Sequence, residues 1–176
     1  DRYRVGDSWE LLRTDHKAGG TKQALRRRVT GIEGGRVFVN GGRIVLDQMG
    51  SVWLNGAGRK DPGVLVAPAS LQVGKRWRSE FTNTGRDGIT RHNHYELHAQ
   101  GLEPVDVPAG RLVAYRVVLQ GLQVGPRDRL RLWEQIWVDP ATMWFVKRQA
   151  RHVDADKGWV EEEVTDELVA MNRVPR

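Results

Sequence analysis

The chain has 176 residues, of which 39% are hydrophobic and 28% charged, and its formal net charge is +6. This composition is typical of a globular protein, and the length suffices for one hydrophobic core. The sequence contains no cysteine, which excludes disulfides, a thiol nucleophile and a zinc–thiolate site, and it contains no run of about 18 apolar residues.

Short segments of alternating apolar and polar residues follow one another through the first part of the chain. The stretch VGDSW at residues 5–9 indicates a turn that begins a strand. Further strands are predicted at residues 24–32, 36–39, 43–46 and 51–54. The Asn-Gly pair at residues 40–41 favours a hairpin, because both central residues of a type I′ turn need positive φ.

The second part of the chain repeats this organisation. Residues 64–68 are apolar but contain Pro68, which favours an irregular segment, either a lid over an open end of the sheet or a loop held against the core. VGKRW at residues 73–77 repeats the Val-Gly-x-x-Trp pattern of residues 5–9. Strands are then predicted at residues 77–82, 89–100, 105–119 (interrupted by a turn at Pro108 and Gly110), 129–138, 143–153 and 159–169.

These segments define the predicted fold class. The pattern indicates about ten or eleven strands and no amphipathic helix. We therefore expect a mainly β protein with little helix, formed by a single antiparallel meander that curves into a half-barrel or open barrel. Residues 1–176 are expected to form one β domain.

Several short sequence motifs resemble those of a known group of proteins. They are the aromatic-x-VGDxW start at residues 3–9, the second VGxxW, VxVPAG at residues 105–110, and a W-x-DP turn at residues 137–140 before a V-K-R strand. The chain resembles uncharacterised bacterial envelope proteins, secreted or lipid-anchored, with an architecture similar to the half-barrel of lipoprotein carriers. The resemblance implies a periplasmic or outer-membrane associated location, with a leader that this chain does not contain. The carriers also pack helices into their concave face, whereas this sequence predicts none.

The segment RHNHYELHAQ at residues 91–100 is the sharpest local feature. On a strand, His92, His94, Glu96 and His98 project from one face and Tyr95 from the other. A His-x-His pair on a strand can bind zinc or copper if a neighbouring strand adds a ligand. The alternative is a solvated polar face, so metal binding through His92, His94 and His98 is a minor hypothesis and no metal site or cofactor is predicted.

Seven tryptophans are the second feature. Trp133 and Trp137 share one face of their strand, opposite Leu130, Leu132, Ile136 and Val138, so both faces of that strand are partly apolar. Either the indoles fill the core, or some of them line a groove for an apolar ligand. The candidate ligand-binding residues are Trp53, Trp133, Trp137 and Trp144.

The sequence shows no catalytic motif, and no enzymatic activity or catalytic residue is predicted. Glu161, Glu162 and Glu163 are expected to be a solvated strand edge or to neutralise Arg148 and Arg151. The lone His16 and His152 have no evident partner. The expected function is non-enzymatic binding of an apolar or amphipathic, lipid-like ligand in a curved sheet. The alternative is an envelope interaction module that docks a protein partner. Basic flanks allow peripheral contact with an anionic membrane surface, and nucleic acid is not an expected partner.

Overall fold

Twelve antiparallel strands form one sheet in the computed structural model, which describes residues 1–175. The strands are β1 (Ser8–Asp15), β2 (Thr21–Glu33), β3 (Arg36–Val39), β4 (Ile44–Asp47), β5 (Val52–Asn55), β6 (Gly58–Val64), β7 (Arg76–Thr84), β8 (Thr90–Val107), β9 (Gly110–Val124), β10 (Arg129–Val138), β11 (Phe145–Asp154) and β12 (Val160–Asn172). Residues 1–175 include no helix with the length and apolarity needed to cross a membrane.

The sheet closes on itself. β1 pairs with β12 along one edge and with β2 along the other, and every other strand pairs with its neighbours in chain order. The prediction of a mainly β, curved antiparallel meander is confirmed. The curvature exceeds that of the half-barrel or open barrel expected from the sequence, because hydrogen bonds between the first and last strands complete the barrel.

Both VGxxW segments begin a strand. Gly6 and Gly74 have φ values of 95° and 91°, in the left-handed region that favours glycine, and β1 and β7 start shortly after them. Trp9 and Trp77 then pack against different parts of the core. Each VGxxW segment is therefore a turn at glycine followed by the start of a strand.

Three clusters of buried apolar side chains form the core. The first cluster surrounds Leu97, Leu119 and Ile136 and includes Ala67 and Leu71 from the segment between β6 and β7. The apolar segment at residues 64–68 is thus held against the core, which was one of the two expected arrangements. The second cluster comprises Tyr3, Val29, Val37, Val39, Leu46 and Trp144, and the third comprises Val105, Ala114, Trp137, Val146 and Leu168.

The strands differ widely in length, which leaves part of the barrel wall incomplete. β3, β4 and β5 have 4 residues each, whereas β2 has 13. β3 pairs with β2 only between Val29 and Glu33. The first half of β2 therefore has β1 on one side and no paired strand on the other among the described residues.

Gly121 on β9 lies directly under an aromatic ring. It pairs across the sheet with Tyr95, and a Cβ at residue 121 would lie 2.7 Å from the Tyr95 ring. That ring also contacts Phe81 edge-on, with 5.0 Å between ring centroids, so it has little room to move. We expect Gly121→Ala to lower the free energy of unfolding in urea by about 1–3 kcal/mol.

Gly101→Ala is the matched control, since a Cβ there would lie 3.8 Å from Glu103 Oε2, an ordinary van der Waals distance. Its effect should lie within about 0.5 kcal/mol. Equal destabilisation by the two substitutions would contradict a specific contact between Tyr95 and Gly121.

Candidate functional site

A charged network crosses four adjacent strands, β10, β11, β12 and β1. Glu134 on β10 is only 7% exposed, and Arg148 on β11 donates hydrogen bonds of 2.6 and 2.9 Å to its two carboxylate oxygens. Asp166 on β12 accepts hydrogen bonds of 2.7 and 2.8 Å from Arg13 on β1 and one of 3.5 Å from Arg148. Positive and negative groups therefore alternate across the strands and pair with one another.

The electrostatics of this network keep the carboxyl of Glu134 ionised. Burial raises the pKa of Glu134, but the charge of Arg148 and the hydrogen bonds from His152 and Arg148 outweigh burial and lower that pKa to about 2. Burial lowers the pKa of Arg148, yet the charges of Glu134 and Asp166 raise it above the ordinary value overall. At neutral pH Glu134 is thus a hydrogen-bond acceptor and has no proton to donate to a substrate.

Sequence reasoning missed this network. It found no partner for His152, whose Nε2 lies 2.9 Å from Glu134 Oε1. It placed Glu162 on a solvated edge or beside Arg148, and the second arrangement is the observed one, with 3.9 Å between the charged groups. The available signal was Glu134 itself, a carboxylate at a position where the alternation of β10 predicts an apolar core residue.

Two of the four candidate tryptophans lie in the core. Trp144 is 4% exposed, and its ring centroid lies 5.7 Å from that of Tyr3 and 4.7 Å from that of Trp9. Trp137 is 8% exposed and donates a hydrogen bond of 3.0 Å from Nε1 to Glu103. They belong to different core clusters.

The other two candidates lie nearer the surface and apart from each other. Trp53 is half-buried, donates a hydrogen bond of 3.0 Å to Asp47, and carries the Arg36 guanidinium 3.5 Å from its ring centroid. Trp133 is 39% exposed and is not part of a core cluster. The structure therefore leaves Trp133 as the candidate tryptophan with a free aromatic surface.

Trp133 lines an open groove of about 470 Å³ on the face of β10 opposite Glu134. Arg151 lies across from it on β11, and Glu163 lies across from Arg151 on β12. The polar side chains of the groove are His16, Gln149, Arg151, Glu163 and Thr165. An exposed indole beside hydrogen-bond donors and acceptors suits a ligand with one apolar and one polar part.

The histidines of β8 share a face, but they do not assemble a metal site. His92 and His94 line a second open groove of about 440 Å³. His94 Nδ1 lies 2.9 Å from Glu80 Oε1 on β7, so an acidic neighbour already occupies that ring nitrogen. Within residues 1–175 no three His, Asp or Glu side chains lie close enough to hold a metal ion. The hypothesis of a metal bound by His92, His94 and His98 therefore has no complete ligand set.

The comparisons with known proteins identify the class of fold. No protein-family model and no curated protein matches the chain. In structure the chain is similar to a candidate lipoprotein from Parabacteroides distasonis ATCC 8503, with a TM-score of 0.57, 10% identity and 96% of each chain covered. It is also similar to the hypothetical lipoprotein YmcC from Escherichia coli K12, with a TM-score of 0.50, 15% identity and coverage of 96% of this chain and 86% of that chain. At these identities the likeness is one of fold.

Proposed function

We propose that this protein is a non-enzymatic binding protein of the bacterial cell envelope and that the Trp133 groove binds an amphipathic, lipid-like ligand. The exposed indole of Trp133 carries the proposal, because it adjoins an open groove flanked by Arg151 and Glu163. A volume of about 470 Å³ lies within the usual range of about 300–1,000 Å³ for ligand sites.

Two observations support the envelope location. The landmark motifs of the sequence resemble envelope proteins that are secreted or lipid-anchored, and the folds with which the structure compares belong to a candidate and a hypothetical lipoprotein. A non-enzymatic role is supported by the ionised state of Glu134, a buried carboxyl that is 7% exposed. Glu134 is tied to Arg148 and His152 and stays ionised down to about pH 2.

We expect Trp133→Ala to weaken the binding of dansyl-labelled undecanoic acid at least tenfold. Removing an indole from contact with an apolar chain loses about 1.5–3 kcal/mol, which corresponds to roughly a tenfold to hundredfold change in Kd. Fluorescence titration of the probe measures Kd, and displacement by unlabelled laurate shows that the site is saturable.

Leu102→Ala is the matched control, because Leu102 is also a large exposed apolar residue, at 49%, and lies outside the groove. It should leave Kd unchanged. The proposal fails if the wild type shows no saturable binding or if Trp133→Ala binds like the wild type. Native mass spectrometry that shows a fixed protein complex without lipid would favour the alternative, an envelope interaction module.

A further inference from the structure

One stretch of β2 is an open sheet edge. Residues Thr21 to Arg28 pair with β1, whereas β3 joins β2 only from Val29 onward. The first four residues of β2, Thr21 to Ala24, are all exposed. A strand edge of this kind presents unpaired N–H and C=O groups to any extended chain that reaches it.

The hydrogen bonds around Asn40 show which backbone groups face this edge. The Asn40 side chain accepts a hydrogen bond of 2.9 Å from Arg28 N and donates one of 2.7 Å to Arg26 O, which imitates a neighbouring strand. Val29 N donates in the opposite direction, to Asp7 O. Because these directions alternate along a strand, the N–H and C=O groups of Ala24 and Lys22 point to the open edge.

The same stretch holds the densest basic cluster of the chain. Lys22, Arg26 and Arg28 occupy alternate positions and share one face of β2, and all are exposed. Arg26 pairs with Glu10 at 3.1 Å, and no carboxylate among residues 1–175 pairs with Lys22 or Arg28. The three arginines at residues 26–28 also line an open groove of about 400 Å³. This surface is complementary to negative charge.

We propose that the open edge of β2 binds an extended acidic segment of a partner protein by strand addition. The proposal goes beyond the ligand site at Trp133, which involves β10, β11 and β12. Main-chain pairing supplies affinity in this mode, and side chains at alternate positions supply specificity. Anionic lipid head groups can neutralise the arginines, but they present no row of donors spaced to pair with successive C=O groups of a strand. A peptide strand also donates N–H groups to the C=O groups of Lys22 and Ala24.

Fluorescence polarisation tests the proposal with a fluorescein-labelled ten-residue peptide of alternating valine and glutamate. The wild type should bind it at least tenfold more tightly than a peptide of alternating valine and lysine. N-methylation of every backbone nitrogen in the acidic peptide should reduce its affinity at least tenfold, because it removes the donors for strand pairing on both edges of the peptide.

We expect two variants to bind the acidic peptide at least tenfold more weakly than the wild type. They are Ala24→Pro and the double substitution Arg26→Glu with Arg28→Glu. Proline is tolerated at an edge position whose N–H makes no ladder bond, so Ala24→Pro should fold, as circular dichroism and thermal unfolding can verify. Arg111→Glu, at an exposed arginine on β9, and Trp133→Ala should bind the peptide like the wild type. The Trp133 result separates this site from the proposed ligand groove.

Two results would overturn strand addition. One is equal binding of the acidic, basic and N-methylated peptides by the wild type. The other is binding of phosphatidylglycerol vesicles that the Arg26→Glu, Arg28→Glu variant loses, while peptide binding is the same in both proteins. The basic cluster would then be a lipid contact.

Discussion

Arg148→Met is expected to lower the free energy of unfolding by about 3–5 kcal/mol, the usual cost of breaking a buried ion pair by removing one partner. The reason is the environment of Glu134, which is 7% exposed and receives both of its strongest charge-assisted hydrogen bonds from Arg148. Without that guanidinium, His152 is the one hydrogen-bond partner left to the buried carboxylate among residues 1–175. Urea unfolding followed by circular dichroism measures the loss.

A second substitution should restore most of the stability. Adding Glu134→Gln to Arg148→Met removes the uncompensated charge, while the amide keeps a hydrogen bond to His152. Replacement of a whole buried ion pair by neutral groups is often close to neutral, so the double variant should lie within about 2 kcal/mol of the wild type. A double variant as unstable as the single one would show that Arg148 acts through packing instead of charge.

An exposed ion pair provides the control for Arg148→Met. Arg78 and Glu96 lie 3.4 Å apart with side chains 73% and 55% exposed. Arg78→Met should cost about 0–1 kcal/mol, because water screens the pair and the freed carboxylate stays solvated. A similar loss for the two substitutions would mean that burial does not decide the strength of these interactions.

The fold class was predictable because the alternation of apolar and polar residues and the residue preferences of turns depend on short stretches of sequence. The hairpin at Asn40 and Gly41 has both residues at positive φ, at 53° and 68°, as the Asn-Gly signal requires. β6 was not predicted, because its sequence GRKDPGV has no apolar alternation and includes a proline. β8 was predicted as two strands, because the register shift between Ala99 and Gly101 interrupts the period of two within a continuous strand.

Closure of the barrel and the burial of each tryptophan depend on contacts between distant parts of the chain. The alternation of β10 correctly put Trp133 and Trp137 on one face, opposite Ile136. It did not reveal that Val105 and Ala114 pack in the same core cluster as Trp137 while Trp133 stays exposed. The partners of Glu134 come from β11, where Arg148 and His152 lie two residues on either side of Ala150, the residue directly opposite Glu134.

Acidification should remove on the order of 3 kcal/mol of stability through Glu134 alone. Its pKa is about 2 in the folded protein, whereas an unperturbed glutamate carboxyl has a pKa of 4.5, and each pKa unit corresponds to about 1.36 kcal/mol. Because the folded-state pKa is depressed, the unfolded chain takes up the proton first. The contribution is fully present above about pH 4.5 and is lost as the pH falls through about 2.

The double variant Glu134→Gln, Arg148→Met isolates this contribution. The pKa values of Asp47, Asp87 and Asp154 are also lowered in the folded protein, and these carboxyls remain in both proteins. Urea unfolding at a series of pH values from 7 to about 2.5 should therefore show that the wild type loses about 2.5 kcal/mol more than the double variant, which is most of the Glu134 contribution. Parallel pH profiles would mean that Glu134 is not held ionised by Arg148, and the buried network would then have to be stabilised by its hydrogen bonds in both protonation states.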